Sequence, residues 1–298
     1  MGYEIKKAII LFRTNILALV RSDNNINKLI IWDDNQRKVL SEFNFNISIL
    51  NVKLWRDKIV VVCYDKIFIF NLYNFKQIDV IETGDNLNGI VAISYEKEQV
   101  LACPDKDIGY VKIKNFINSI EFNIKAHDSN IAYLSLSYDG RVLATASEKG
   151  TLIRIFNIEN RTLLQEVRRG TEGAEIKYIC FEPNLKFVAA LSDRGTIHIF
   201  SLFKTLKTLL KIDDHESKEN NLIENQKSNL KWFSFIGGKF FNSEWSFAQI
   251  RSVKPESIFC FGNENTIIIV SNDDNYYKYQ IDLIKGGECT KIEEKKLI

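Results

Sequence analysis

Two adjacent arginines are the chemically most distinctive residues of the sequence, and they lie in the run Val167-Arg168-Arg169-Gly170-Thr171. A guanidinium keeps its positive charge at physiological pH and donates two parallel hydrogen bonds to a phosphate or a carboxylate. Adjacent residues of an extended strand point to opposite sides of that strand. We therefore expect one guanidinium on each side, which would create two separate anion-binding sites.

The arginine pair lies between two copies of one strand pattern, which cover residues 131–157 and 176–201. Each copy predicts three strands, with a tight turn at Gly150 or Gly195 before the third strand. The residues that match at a spacing of 45 are Ser147 with Ser192, Gly150 with Gly195 and Thr151 with Thr196, and a one-residue gap then aligns Arg154 with His198 and Phe156 with Phe200. A repeat of this length with three or four short strands is typical of a β-propeller blade. The sequence therefore predicts an all-β fold with the arginines at the junction of two blades.

The sequence resembles the PROPPIN family, whose members are seven-bladed WD-repeat β-propellers with Phe-Arg-Arg-Gly or Leu-Arg-Arg-Gly between two blades. Val167 departs from the first position of that motif, but it is apolar and can pack in the same way. The resemblance extends over nearly all 298 residues, and its most specific parts are ASEKGTLIRIF (146–156), RRG (168–170), SDRGTIHIF (192–200) and KFFNSEWSF (239–247). It is greatest to the shorter members of the WIPI group. It implies binding of phosphatidylinositol 3-phosphate and phosphatidylinositol 3,5-bisphosphate in autophagosome formation or in endolysosomal membrane traffic.

The resemblance also implies which residues form the two phosphoinositide sites. Site one is implied to contain His127, Ser147, Thr151, Arg154 and Arg168, and site two to contain Arg169, Ser192, Arg194, Thr196 and His198. The serine and threonine hydroxyls would donate hydrogen bonds to phosphate oxygens, and the tight glycine turns would let backbone N–H groups approach a ligand. No cofactor and no metal are expected.

Several of these residues also have a purely structural interpretation. WD repeats commonly place a histidine at the position of His127, where it bonds to an internal polar side chain, and Asp139 and Thr145 could serve here. His198 could be a partly buried histidine that is satisfied inside the protein. The carboxylates that could form salt bridges with the two arginines are those of Glu166, Glu172 and Glu175.

Six blades can be recognised along the chain, against seven in the family. They start near residues 8, 49, 89, 131, 176 and 257. The blade without a counterpart is the first one. Three explanations remain open: a six-bladed ring, an open ring with one unpaired flank, or a sequence that lacks its true N-terminus. We expect a single β-propeller domain over residues 1–298.

The segment 203–238 interrupts the strand pattern, and its middle is rich in Lys, Asn, Glu and Asp, which is typical of a flexible insert. At its start, the residues that recur at helical spacing are Leu202, Phe203, Leu206, Leu209 and Leu210. Near its end, an apolar cluster beside three lysines consists of Leu230, Trp232, Phe233, Phe235 and Ile236. In the family, the loop between the third and fourth strands of the penultimate blade enters the bilayer, so the resemblance implies a membrane-facing insert. The alternative is an ordinary loop whose aromatic side chains pack against the blades.

The composition excludes several classes of function. The net charge is only +2, with 40 basic and 38 acidic residues, so no general field attracts nucleic acid and any anion binding must be local. Five scattered cysteines without a C-x-x-C spacing argue against a zinc site or a disulfide framework and for a reducing compartment. No apolar run reaches the roughly 18 residues that span a bilayer. Because His127, Asp128 and Ser129 are consecutive, they cannot form a catalytic triad, and we expect no enzyme activity.

We expect a monomeric cytoplasmic protein that is recruited to phosphoinositide-containing preautophagosomal, endosomal or vacuolar membranes. The resemblance implies a further partner, a lipid-transfer protein of the autophagosome. The alternative function is a WD-repeat scaffold that binds only proteins, and its recruitment to membranes would not depend on phosphoinositides.

Overall fold

The structure is a computed structural model, and it describes residues 5–23, 26–96, 98–210, 224–227 and 244–297. Within these residues the chain forms 27 strands and one helix, and the strands are arranged in six sheets. The prediction of an all-β fold is therefore confirmed.

The first three sheets each contain four antiparallel strands that are neighbours in chain order. Sheet A contains β1 (Ile5–Ile10), β2 (Ile16–Asp23), β3 (Ile26–Asp33) and β4 (Lys38–Phe45). Sheet B contains β5 (Asn51–Leu54), β6 (Lys58–Val62), β7 (Lys66–Asn71) and β8 (Gln77–Glu82). Sheet C contains β9 (Ala92–Ile93), β10 (Val100–Pro104), β11 (Tyr110–Asn115) and β12 (Ile120–Lys125).

The last three sheets exchange strands along the chain. Sheet D starts with β13 (Ile131–Leu136), β14 (Val142–Ser147), β15 (Leu152–Asn157) and β16 (Leu163–Arg168), and sheet E starts with β17 (Ile176–Phe181), β18 (Phe187–Ser192) and β19 (Ile197–Ser201). Helix α1 (Phe203–Leu210) follows, and then β20 (Gln226–Lys227) and β21 (Glu244–Trp245) extend sheet D, while β22 (Ala248–Ile250) joins sheet E. Sheet F contains β23 (Ile258–Phe261), β24 (Thr266–Val270), β25 (Asn275–Gln280) and β27 (Thr290–Lys296), and β26 (Gly287–Glu288) is added to sheet E.

Apolar side chains join each sheet to the next. Five buried clusters connect A with B, B with C, C with D, D with E and E with F. Alternation along the strands supplies both faces: in β14, Ala144 and Ala146 pack toward sheet E, whereas Leu143 packs toward sheet C. The first strands of several successive sheets lie side by side, and the ring of Tyr178 contacts those of Tyr133 and Phe259 across them. These first strands line a central channel.

Two glycine turns bring sheets D and E close to the connections that follow them. Gly150 and Gly195 have φ angles of 58° and 69°, which L residues with a side chain adopt at a cost in strain. A β-carbon at Gly150 would lie 1.7 Å from the carbonyl oxygen of Ala174, and one at Gly195 would lie 2.6 Å from that of Val253. Glycine therefore fixes these two turns, and the turn at Gly150 lies beside the arginine pair.

The insert leaves sheet E between β19 and β22, its third and fourth strands. Its first eight residues form α1, as the helical spacing of the apolar residues predicts. Leu206 and Leu209 pack against the core between sheets D and E, and the hydroxyl of buried Thr205 donates to Oε1 of Gln165 in β16 at 2.9 Å. The start of the insert is thus held against the side of sheet D.

Candidate functional site at the arginine pair

The two arginines lie on opposite faces of sheet D. Arg168 ends β16, and its neighbour Val167 is fully buried in the core between sheets D and E. Arg168 therefore points toward sheet C, on the same face of sheet D as Glu166, whose charge interacts with its own. Arg169 follows the strand, and the carboxylate that interacts most with its charge is that of Asp193 in sheet E. The alternation of a strand thus separates the two guanidiniums.

These two faces open into two gaps between sheets. We call the gap between sheets C and D the first cleft; it is defined by His127, Ser147, Arg154, Glu166 and Arg168. We call the gap between sheets D and E the second cleft; it is defined by Arg169, Ser192, His198, Gln249 and Arg251.

Both arginines are largely withdrawn from water. The exposed fraction is 9% for Arg168 and 8% for Arg169, and burial is the main cause that lowers the pKa of each guanidinium. The Arg169 side chain is oriented by the backbone, because its Nε donates to the carbonyl of Gly150 at 3.0 Å and its Nη2 donates to the carbonyl of Glu172. A guanidinium has five N–H groups. Two of the five N–H groups of Arg169 donate to these carbonyls, and the other three donate to none of the residues that the structure describes.

The first cleft is largely neutralised from within. His127 is 4% exposed, and its Nε2 lies 2.9 Å from Oγ1 of Thr145, one of the two partners that the WD-repeat interpretation names. Burial, and then the charge of Arg154, lower the pKa of His127 to about 4, so the imidazole is neutral at pH 7. Arg154 donates from Nε to Oε2 of Glu166 at 2.7 Å and from Nη1 to the carbonyl of Ala126 at 2.7 Å. An incoming anion would have to compete with Glu166.

The second cleft has an unsatisfied polar group. Ser192 is completely buried, and its hydroxyl has no hydrogen-bond partner among the described residues. His198 stacks on Phe200, and its Nδ1 lies 3.3 Å from Oγ of Ser246. Burial, followed by the charges of Arg169 and Arg251, lowers the pKa of His198 to about 4. An anion that accepts from the Ser192 hydroxyl would complete this cleft.

The other proposed site residues lie at the rims of the clefts. Thr151 and Thr196 are partly exposed, and each immediately precedes the third strand of its sheet. The carbonyl of Thr151 accepts from the backbone N–H of Arg169 at 2.9 Å, which ties this turn to the arginine pair. Arg194 is exposed, and its Nη2 lies 3.8 Å from Oε2 of Glu172. It can therefore swing toward a ligand in the second cleft without leaving a buried partner.

Two residues of the second cleft are not among those that the sequence predicts. Gln249 pairs with His198 across β19 and β22, and Arg251 follows Ile250, which is buried toward sheet F. Arg251 thus occupies in sheet E the position that Arg168 occupies in sheet D. The signal is present in the sequence, because Gln249-Ile250-Arg251 parallels Glu166-Val167-Arg168. The insert separates β22 from its sheet and conceals this match.

The ends of the insert meet beside the second cleft. Glu244 in β21 accepts hydrogen bonds from Gln165, Lys204 and Asn225, which joins both ends of the insert to sheet D. Ser246, two residues later, contacts His198. The apolar cluster proposed for membrane contact lies outside the described residues; it consists of Leu230, Trp232, Phe233, Phe235 and Ile236.

The described residues also show what other kinds of site they could form. No group of three or more His, Cys, Asp or Glu side chains there is arranged to hold a metal ion. No helix within the described ranges has the length and apolar character needed to cross a bilayer.

Known proteins match the chain in both sequence and fold. The PROPPIN family model matches residues 4–214. Autophagy-related protein 18e of Arabidopsis thaliana is 38% identical, and the match covers 97% of this chain and 76% of the relative. Autophagy-related protein 18 of Schizosaccharomyces pombe is 30% identical, and the match covers 95% of this chain and 85% of the relative. The solved structure of Kluyveromyces lactis Hsv2 covers 99% of this chain and 87% of its own with a TM-score of 0.76 at 22% identity, and a complex of KlAtg21 with the coiled coil of AgAtg16 matches with a TM-score of 0.75 at 24% identity. These structures support the β-propeller fold, the sequence matches extend over most of the chain, and the protein therefore belongs to the PROPPIN family.

Proposed function

We propose that the protein binds phosphoinositide headgroups in its two clefts and thereby attaches to membranes that take part in autophagy. The observation that carries this proposal is the pair of buried, adjacent guanidiniums that face two different clefts. Phosphatidylinositol 3-phosphate and phosphatidylinositol 3,5-bisphosphate are the proposed ligands. The names of the Arabidopsis and fission yeast relatives support the link to autophagy. Recruitment from the cytoplasm to preautophagosomal, endosomal or vacuolar membranes is part of the proposal.

The magnitudes are sufficient for such binding. A phosphate monoester carries about −1.5 to −2 charges at pH 7 and offers three acceptor oxygens. A hydrogen bond to a charged group contributes about 1.5 to 3 kcal/mol, whereas a micromolar site requires about 8 kcal/mol. Three or four good contacts per cleft are therefore enough. Arg169 is already oriented by two carbonyls, so less side-chain entropy is lost when the ligand binds.

The two clefts and the insert would act together. We propose that the apolar cluster of the insert, Leu230, Trp232, Phe233, Phe235 and Ile236, contacts the membrane. When one cleft holds a lipid, the second cleft and the insert meet the same membrane at a high effective concentration. Two moderate sites then give firm attachment, although neither site is strong alone.

Protein partners are a second part of the proposal. In the solved complex, KlAtg21 is bound to the coiled coil of AgAtg16. We propose that this chain, as a monomer, likewise binds a protein of the autophagy machinery, such as a coiled-coil protein or a lipid-transfer protein. A protein scaffold without lipid binding is the alternative, and its recruitment to membranes would not depend on phosphoinositides.

We also propose that the six sheets are six blades of one domain over residues 1–298. The five clusters that join successive sheets support this arrangement. A single domain would unfold in one transition, with equal calorimetric and van't Hoff enthalpies. Two separate transitions in differential scanning calorimetry would contradict it.

Vesicle sedimentation tests the lipid proposal. The wild-type protein should sediment with vesicles in which roughly a tenth of the lipid is phosphatidylinositol 3-phosphate, because each cleft binds a headgroup. The variant R168T/R169T should stay in the supernatant. The control R141T/R161T removes the same charge from exposed positions of sheet D and should sediment like the wild type. Sedimentation of R168T/R169T at the wild-type level would overturn the proposal, as would equal losses in both variants.

A further inference from the structure

The central channel contains a group of lysines that neither cleft uses. Lys53 in β5 lines two neighbouring cavities of the channel, with volumes of about 270 and 230 Å³. The walls of the larger cavity come from the first strands of sheets B, D and E and from the segment before β9. Its polar lining residues are Asn51, Lys53, Asn88, Tyr133, Glu175 and Lys177.

Lys53 has no partner for its charge in the parts of the chain that the structure describes. It makes neither a hydrogen bond nor an ion pair with them, and burial lowers its pKa. The carboxylate of Glu175 in the same wall is engaged by Lys177, with 2.8 Å between Oε2 and Nζ. Lys53 is partly buried, and a partly buried ammonium without a counter-charge is less favourable than one that is fully surrounded by water.

A second ammonium, that of the exposed residue Lys7, reaches the rim of the larger cavity. Nζ of Lys7 in β1 donates to Oδ1 of Asn51 at 2.7 Å, and Asn51 lines the same cavity as Lys53. The pKa of Lys7 is lowered by burial and then by the charges of Lys53 and Lys6. The neighbouring lysines therefore repel each other. An anion between them would remove both the repulsion and the cost of the unpaired charge.

We propose that the channel binds a small phosphate-bearing anion with at least two negative charges, held by Lys53 with Lys7 beside it. One phosphate group concentrates nearly two charges at a single point, which two neighbouring ammoniums require, and it accepts hydrogen bonds from Lys and Asn donors. The two cavities together lie within the range of volumes, about 300 to 1,000 Å³, at which small-molecule sites are found. A compact di- or polyphosphate fits this space.

This site is separate from the two clefts. The clefts are formed by the second, third and fourth strands of sheets D and E and by the end of sheet C, whereas the channel is lined by first strands. Neither Lys7 nor Lys53 belongs to a cleft. A phosphate group could nevertheless come from a lipid headgroup or from a soluble compound, and variants of the two regions distinguish these sources.

Calorimetric titration of the full chain with inorganic pyrophosphate, at constant ionic strength set by sodium chloride, tests the proposal. The wild type should bind pyrophosphate, and K53M should bind it at least about tenfold more weakly, since one main charge is lost. K53R keeps the charge and should retain binding. K76M removes an exposed lysine of the same sheet and should bind like the wild type. In R168T/R169T, which removes phosphate binding in the clefts, the pyrophosphate binding that depends on Lys53 should remain.

Thermal unfolding supplies a readout that does not depend on activity. Without pyrophosphate, K53M should melt at a higher temperature than the wild type, because the unpaired, partly buried charge is gone. With pyrophosphate, the melting temperature of the wild type should rise and that of K53M should not. The proposal is overturned if the wild type does not bind pyrophosphate or if K53M binds it as tightly. It is also overturned if R168T/R169T loses all binding, since the pyrophosphate would then occupy only the clefts.

Discussion

The first and second clefts use equivalent positions of neighbouring sheets, but they balance charge differently. In the first cleft Arg154 lies across from Glu166, whereas in the second His198 lies across from Gln249. The first pair forms a salt bridge of 2.7 Å, and the second pair is neutral at pH 7 because the pKa of His198 is about 4. The first pair therefore carries its own counter-ion and the second pair does not, although Oε2 of Glu288 lies 3.6 Å from Nε of Arg251 in the second cleft.

The difference shows how one scaffold can contain two unequal anion sites. An anion in the first cleft must displace Glu166 from Arg154 before it gains the full attraction of that guanidinium. On the proposed function, an anion in the second cleft would instead accept a hydrogen bond from the buried hydroxyl of Ser192. Leaving a buried polar group without a partner costs about 1 to 3 kcal/mol, and a ligand that pairs with it recovers this energy. We infer that the second cleft binds phosphate more tightly than the first.

The largest expected effect separates the two arginines. In calorimetric titrations with a soluble short-chain phosphatidylinositol 3-phosphate, R169T should raise the dissociation constant of the tighter phase about 100-fold, which is about 2.7 kcal/mol. R168T should remove the weaker phase and leave the tighter phase unchanged. Circular dichroism melting curves control for folding. If R168T rather than R169T abolishes the tighter phase, the ranking of the clefts is wrong.

Acid stability sharpens the comparison next. The folded-state pKa of His127 is about 4 and its ordinary value is 6.5, so the unfolded chain binds the proton first as the pH falls. The free energy of unfolding should therefore decrease below pH 6.5, by about 2 kcal/mol for this residue between pH 7 and pH 5. Urea unfolding at both pH values measures this decrease.

Variants assign the acid effect to the two histidines. H127Q should remove its share of the pH dependence and also lower stability at pH 7, because its 2.9 Å bond to Thr145 is buried. H198Q should flatten the profile similarly, with a smaller loss at pH 7, since its contact with Ser246 is 3.3 Å long. A profile in H127Q as steep as in the wild type would contradict the assignment.

Arg251 provides an intermediate effect that is confined to the second cleft. R251Q should weaken the tighter phase about tenfold, or about 1.4 kcal/mol, because it removes the charge that corresponds to Arg168 in sheet D. R141Q removes an exposed arginine of sheet D, 58% of whose side chain is exposed, and it should leave both phases unchanged. A tenfold loss in R141Q as well would mean that general charge, not the cleft, determines affinity.

Local pattern predicts much of this site, and contacts between distant segments supply the rest. The separation of Arg168 from Arg169 follows from the twofold period of a strand, and the glycine turns follow from the 45-residue repeat. The pairing of Arg154 with Glu166 was not predicted, because it depends on the register of β15 against β16. Arg251 was missed because the insert interrupts the repeat.

The channel lysines illustrate the limit more strongly. Lys7 and Lys53 are 46 positions apart in the sequence, and neither belongs to a recognisable motif. They come together only because the first strands of sheets A and B lie side by side around the channel. Burial of Lys53 depends further on sheets C, D and E. A residue whose environment is assembled from five sheets leaves no signal in its own neighbourhood.

The smallest expected effect tests the cause of the difference between the clefts directly. E166Q removes the internal counter-ion of Arg154 and should strengthen the weaker phase about fourfold, or about 0.8 kcal/mol, which is the size of a half-exposed ion pair. Q249E introduces a carboxylate at the equivalent position of sheet E and should weaken the tighter phase by a similar factor. E159Q, an exposed change in sheet D, is the matched control and should alter neither phase. If E166Q strengthens both phases and Q249E weakens both, the clefts respond to net charge alone. The difference between Glu166 and Gln249 then does not set their ranking.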